Sequence, residues 1–219
     1  GKMDDRITAA IEARRKTPRD DAITRLIEHE ENGVTFTDRD LHGLVKMLLF
    51  GVLDTTMAST SNALLYLSEH PEQRQRLIDE PGLIPGAIEE LLRFEAPVHA
   101  FARHVTTPVE IGGHEIGRGE RVYMLWASAN RDPEQFVDPD VVNFERRPNR
   151  HLTFGIGGHR CLGAPLARLE MKIMLEEVLQ RLPDFRIEPE GVRHPVTVTI
   201  IWGRTSLPAT FTPGPGTSQ

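Results

Sequence analysis

Apolar residues recur at helical spacing through the first part of the chain. Ile7, Ala10 and Ile11 stand among charges in residues 4 to 16, and Ile23, Leu26 and Ile27 do so between Asp20 and Glu31. Spacings of three and four put each set on one face of a helix. Both segments are expected as surface helices, with Glu28, Glu30 and Glu31 on a solvated face and Asn32-Gly33 stopping the second. A third helical pattern opens at Thr37, where Asp40 completes a capping box, and no breaker follows until His70-Pro71. At about 1.5 Å per residue such a helix is ~50 Å long, enough to cross a whole domain. Gly51, Asp54, Thr55 and Thr56 are poor helix formers grouped near its middle. By itself such a group is a tolerated defect, since Thr can bond back to its own helix.

Pro71 restarts a short helix through Leu77 and Ile78 that Pro81-Gly82 ends, and Ile84 to Phe94 forms another, with Ile88, Leu91 and Leu92 on one face. Beyond Pro97 the pattern turns to strands: Val109-Glu-Ile, a Gly112-Gly113 turn, His114-Glu-Ile, then Arg121 to Trp126. Asn130-Arg-Asp-Pro133 starts a helical turn, and residues 134 to 150 follow without periodicity, as a packed meander would. Pro165 to Arg181 is again helical, and Leu162, Leu166, Leu169 and Ile173 run on into Leu175, Val178, Leu179 and Leu182 as one expected core stripe. Val196 to Trp202 is expected as a final strand with Ile200 and Ile201 facing a pocket, and 212–219 as a disordered Pro/Gly-rich tail.

Composition narrows this picture. With 39% hydrophobic and 26% charged residues in 219, the chain is ordinary soluble material. Its richest apolar stretch, Leu44 to Leu53, contains Lys46 and is short for a bilayer, and Gly1-Lys-Met-Asp-Asp lacks a signal peptide's apolar core. No membrane anchor is expected. A net charge of -6 argues against a nucleic-acid partner, and one cysteine suits a reducing compartment, the cytoplasm.

That cysteine, Cys161, sits in His151-Leu-Thr-Phe-Gly-Ile-Gly-Gly-His-Arg-Cys-Leu-Gly163. Glycines there let the backbone turn tightly and approach a flat ligand, and the helix start that follows favours an anionic sulfur. Zinc would need more cysteines. Three readings stay open on the residues alone: an inert small hydrophobe, a nucleophile beside His151 or His159, and a thiolate ligand to haem iron. Neither histidine has an evident orienting carboxylate in the sequence.

Phe154, Gly155, Gly157, His159, Cys161 and Gly163 fall in the order F-G-x-G-x-H-x-C-x-G. This resembles the haem-binding loop of the cytochrome P450 family, with six fixed positions in ten residues. Glu89-Glu-Leu-Leu-Arg93 resembles the family's E-x-x-R, which makes Glu90 and Arg93 a buried brace met by an arginine of the meander. Arg147 in Phe144-Glu-Arg-Arg-Pro148 is the expected third member. Gly51-Val-Leu-Asp-Thr-Thr56 resembles the family's acid-alcohol segment, so that Asp54 and Thr55 would manage proton delivery to bound dioxygen. Val52 departs from the small residue common there. Arg103 and His159 match positions that bind the haem propionates.

The resemblance implies a mainly α fold with small β sheets, residues 1–211 being the C-terminal portion of a single P450 catalytic domain. It leaves the family's N-terminal helices without a counterpart, implying a fragment or a truncated product. The implied cofactor is heme b (iron protoporphyrin IX) on Cys161, and the implied activity is monooxygenation of a small hydrophobic substrate. Electrons would come from a ferredoxin or flavodoxin with its reductase, for which Arg74, Arg76, Arg160 and Arg168 could form a basic docking patch. A peroxide-using haem-thiolate enzyme and a non-catalytic haem-binding fragment are the alternatives.

Overall fold

The structure, a computed structural model, describes residues 1–195 and 200–213. The chain divides into two compact units, Gly1–Leu53 and Asp54–Gln219. The first holds α1 (Lys2–Lys16), α2 (Ala22–Glu28), the two-residue strands β1 (Glu30–Glu31) and β2 (Val34–Thr35), and the start of α3 (Asp38–Glu69). Ile7, Ile11, Leu41 and Val45 form its core, with Ile23, Leu26, Ile27 and Phe36 packed against them. Asn32 and Gly33 both have positive φ and close a hairpin between β1 and β2. The second helix therefore ends earlier than expected, because Asn-Gly is a hairpin turn as well as a helix stop. The capping box of α3 forms: the Thr37 N–H donates to the Asp40 carboxylate at 3.0 Å and the Asp40 N–H to the Thr37 hydroxyl at 3.3 Å.

α3 runs for 32 residues, helical without interruption through Gly51–Thr56. By length and composition it is apolar enough to cross a membrane, more so than Leu44–Leu53 alone suggests, and the core helix of a soluble protein passes the same test. Its later half buries Thr56, Ser59, Thr60 and Asn62.

The second unit adds α4 (Pro71–Asp79), α5 (Ile84–Glu95), β3 (Ala100–His104), β4 (Val109–Ile111), β5 (His114–Ile116), β6 (Arg121–Leu125), α6 (Trp126–Ala129), α7 (Ala164–Arg181), β7 (Arg186–Ile187) and β8 (Ala209–Thr210). The strands pair only two by two among the described residues: β3 with β6, β4 with β5 across the Gly112-Gly113 turn, and β7 with β8, all antiparallel. The architecture is thus mainly α with small sheets. Trp126 opens α6 instead of ending a strand. Of the expected strand at Val196 to Trp202, residues 196–199 lie outside the described residues, and Ile201 forms an isolated bridge to Val98. Residues 214–219 of the expected tail also lie outside them, while the Thr212 N–H donates to Asp184 at 3.2 Å.

α5 is the centre of this unit. Ile84, Ala87, Ile88, Leu91 and Leu92 are buried along it, packed with Leu67, Leu77, Phe144, Met171, Leu175, Leu179 and Phe185. A Cβ at Gly86 would lie 2.3 Å from the Phe144 carbonyl oxygen, so the meander touches α5 backbone to backbone. The helix ends at Ala96, in the left-handed region just before Pro97.

α7 corrects the single-stripe expectation. Met171, Leu175 and Leu179 point into the core, whereas Leu166, Leu169 and Ile173 are 43%, 53% and 50% exposed. Both sets have helical spacing, and periodicity reports a face without reporting what covers it.

Candidate functional site

Cys161 is a free, exposed thiol at the end of the glycine loop. Gly155 and Gly157 have φ of +67° and +74°, where a side chain would be strained. Their turns carry the chain back on itself. The Gly155 N–H donates to the Leu152 carbonyl, the Arg160 N–H to that of Gly157, and the Cys161 N–H to that of Phe154 at 2.8 Å. Gly163 caps α7, and the Ala164 N–H donates to the Cys161 carbonyl at 3.4 Å. Cβ atoms at Gly157 and Gly158 would meet open space, and Ile156 and Leu162 flank the loop as exposed apolar residues. One exposed sulfur with open glycine backbone and apolar flanks suits a flat apolar group held through a single thiolate. Among the described residues no cluster of three or more His, Cys, Asp or Glu offers a metal site made of side chains alone.

Two adjacent carboxylates of α5 hold the surroundings of this loop. Glu90 and Arg93 are fully buried and paired fork to fork, Nε and Nη2 of Arg93 each lying 2.9 Å from a Glu90 oxygen. The arginine of the meander that reaches this pair is Arg146, not the expected Arg147. Arg146 donates through Nε to both Glu90 oxygens at 3.0 and 3.1 Å, whereas Arg147 donates to the Arg146 carbonyl on an exposed stretch. The turn closed by the Arg146 N–H on the Asn143 carbonyl aims Arg146 at Glu90, which also accepts the Asn143 N–H at 2.9 Å. Two consecutive arginines cannot be told apart by spacing alone. Burial acts to raise the Glu90 pKa, yet bonds from Arg93, Asn143 and Arg146 outweigh it and hold the carboxyl below its ordinary value.

From this brace a chain of buried bonds leads to the loop. The Arg93 guanidinium donates to the Asn130 carbonyl at 2.8 Å, and the Asn130 amide donates to the Thr153 hydroxyl and accepts the Leu152 N–H. The Thr153 hydroxyl in turn donates to the Leu92 carbonyl at 2.7 Å. The sequence assigns neither Asn130 nor Thr153 a role in supporting the loop. An Asn in a meander start and a Thr two residues before the loop glycine carry no motif of their own.

Glu89 was also missed. Its carboxylate accepts Nε and Nη2 of Arg168 at 2.6 and 2.8 Å and lies 3.1 Å from His151 Nε2. His151 therefore does have a carboxylate partner, contrary to its appearance in the sequence. The Arg168 guanidinium sits 4.4 Å above the ring of Phe154, which is half-buried against the core. Burial acts to raise the Glu89 pKa, and the bonds from Arg168 and His151 overcome it, bringing it down to about 2.

The remaining expected residues are dispersed. Arg103 is exposed on β3 opposite Val122, and its Nη1 donates to the Ala102 carbonyl. His159 is exposed at the end of a 3-10 turn over Gly157–His159. Asp54 is exposed and Thr55 half-buried on α3, where the Ser59 hydroxyl donates to the Thr55 carbonyl at 2.8 Å. That part of α3 neighbours α7 through Thr60 and Met174, and the Asn62 amide donates to the Trp202 carbonyl. The expected basic patch is corrected as well. Arg74 is buried on the Phe185 carbonyl and ring, Arg76 bonds Glu145, and Arg168 is committed to Glu89, so three of its four cations are already engaged.

The family model for Cytochrome P450 matches residues 2–206, and the chain belongs to that family. It is 38% identical over 210 residues to the polyketide biosynthesis cytochrome P450 PksS of Bacillus subtilis, covering 94% of this chain and 52% of that protein. It is 39% identical to a steroid C26-monooxygenase of Mycobacterium tuberculosis, over 94% of this chain and 56% of that one. The solved structure of PksS superposes with a TM-score of 0.92 at 37% identity, over 96% of this chain and 55% of its own. The chain spans about half the length of the curated relatives it matches.

Proposed function

We propose that this chain is the cysteine-bearing portion of a haem-thiolate monooxygenase that inserts one oxygen atom of dioxygen into a small hydrophobic substrate. The observation that carries the reading is the exposed Cys161 thiol on a loop of left-handed glycines, anchored through Thr153 and Asn130 to the buried Glu90–Arg93 pair. Cys161 would hold the iron of heme b, with Phe154, Gly155 and Gly163 shaping the loop and Arg103 and His159 reaching its propionates. Bound haem would supply the activation of dioxygen, and a cysteine ligand favours O–O cleavage by pushing electron density to the iron.

The chain's own residues do the rest. The loop positions one sulfur and leaves open space over Gly157 and Gly158, while Ile156 and Leu162 give it apolar edges. Asp54 and Thr55 would order the proton supply, the exposed acid drawing protons from solvent and the half-buried alcohol passing them inward. Electrons would arrive from a ferredoxin or flavodoxin with its reductase, in the cytoplasm. Since the chain spans about half of its relatives, and since Leu166, Leu169 and Ile173 are left exposed on α7, we read it as incomplete for turnover by itself.

The test is a carbon-monoxide difference spectrum of the reduced, haem-loaded protein. A thiolate-ligated haem band is expected in the parent and is lost in Cys161→Ser, because a hydroxyl is a far weaker ligand and stays protonated near neutral pH. Retention of the band in the serine variant would refute the ligand assignment.

A further inference from the structure

We propose that Glu89 is a positioning residue for the cysteine loop, a staple distinct from the Glu90 brace; its bearing on a cofactor rests on the reading of Cys161 as the ligand. His151 opens the loop and Arg168 lies in the second turn of the helix that follows it. One carboxylate on α5 meets both, so it ties the two ends of the loop to the same helix. The Arg168 contact is bidentate, which fixes direction as well as distance, and a lysine cannot reproduce that fork.

A second link runs from the same guanidinium to the sulfur-bearing residue. Arg168 lies 4.4 Å above the Phe154 ring, and the Phe154 carbonyl accepts the Cys161 N–H at 2.8 Å. The His151 ring stands 5.9 Å from the same phenyl, and its side chain is only 3% exposed. Glu89, Arg168, His151 and Phe154 thus enclose the stem of the loop, leaving its glycine tip and Cys161 open. Glu90 by contrast is taken up by Arg93, Arg146, Asn143 and Asn149. Loss of the Glu89 contacts should therefore release the loop without unlocking the meander.

The experiment is amide hydrogen exchange on the 219-residue chain without added haem, comparing the parent with Glu89→Gln and with Arg168→Lys. The Gly155 and Cys161 amides are expected to exchange about tenfold faster or more in both variants, the size of one lost charged hydrogen bond. Amides within α5 and α7, such as Leu91 and Leu175, should keep their parental rates. Unchanged loop amides would overturn the staple, and so would an equal rise across the whole second unit, which would mark an ordinary stabilising ion pair. If Glu89→Gln fails to fold, Arg168→Lys retains the cation and decides alone. Each protein is then loaded with haem, reduced and treated with carbon monoxide, and the variants should lose part of the thiolate band. A parent without that band overturns the cofactor reading only, and the exchange result still judges the staple.

Discussion

Replacing Arg146 by alanine should damage the second unit far more than replacing its neighbour Arg147. Arg146 Nε bonds both oxygens of a fully buried carboxylate, and its Nη atoms reach the carbonyls of Val137 at 2.7 Å and Val141 at 2.9 Å. Hydrogen bonds to a charged group contribute ~1.5–3 kcal/mol. Orphaning Glu90 altogether would cost ~3–5 kcal/mol. Without Arg146 the carboxylate still keeps both bonds from Arg93, the Asn143 N–H and the Asn149 amide, so the loss stays below that ceiling. We expect about 2–3 kcal/mol. Arg147 donates to one exposed carbonyl, and Arg147→Ala should fall within about 0.5 kcal/mol of the parent.

Urea unfolding followed by tryptophan fluorescence separates the two, since both tryptophans, Trp126 and Trp202, belong to the unit that begins at Asp54. With a urea slope of ~1–3 kcal/mol/M, Arg146→Ala should lower the midpoint by roughly 1–2 M. A midpoint shift as large in Arg147→Ala, or none in Arg146→Ala, would refute the assignment of the brace.

Arg93→Ala removes the fork and also the donor to the Asn130, Pro139 and Val141 carbonyls, so although Arg146 still reaches Glu90 the variant should lose more than Arg146→Ala, about 3–5 kcal/mol, and yield insoluble or haem-free protein; recovery of soluble, haem-loaded protein would count against the pair's structural role. Thr55→Ala, made in a version that carries the rest of the domain and is supplied with an electron donor, should retain haem and divert reducing equivalents into peroxide. Unchanged coupling of electrons to product would remove Thr55 from the mechanism. Glu89, at about 2, lies below the ordinary glutamate value of ~4.3, so its ionised form stabilises the fold above that pH and the contribution disappears as pH falls towards 2. Allowing for solvent screening at this partly exposed carboxylate, the loss is roughly 1–2 kcal/mol. Glu89→Gln should flatten the stability curve over that interval, as read by acid titration of unfolding midpoints.

Elements that declare themselves by local chemistry were legible from the sequence. The capping box at Thr37, the Gly112-Gly113 hairpin and the Ile84 helix form where patterning put them, because each depends on residues within one or two turns. What escaped depends on contacts across many residues. Arg146 and Arg147 differ only in the direction the turn at Asn143 gives them. The two apolar rows of α7 have the same period, and which one this chain covers is decided by α5 and the segment around Phe185. Asn130 and Thr153 serve the loop through bonds to backbone groups, the Leu152 N–H and the Leu92 carbonyl, partners that leave no mark on residue type. At the site, the Cys161 loop stood out because six of its positions match one motif at once, whereas its support is spread over single residues.

The pairing of Glu89 with Glu90 shows why α5 can serve as the hub of that support. Consecutive residues on a helix point about 100° apart, so two neighbouring carboxylates necessarily face different surroundings. Glu90 lies i, i+3 from Arg93 and shares its face, which turns towards the meander. Glu89 turns instead towards α7 and the entry of the loop. Each carboxylate needs a cation to be tolerated where it is, and each finds one from a distant part of the chain: Arg146 for Glu90, Arg168 for Glu89. The cation that satisfies the helix thereby locates the segment that carries it. Exchanging the two roles would require α5 to rotate by that angle, which would bring its buried leucines out of the core. The same apolar face that buries α5 therefore sets where the meander and the cysteine loop must lie.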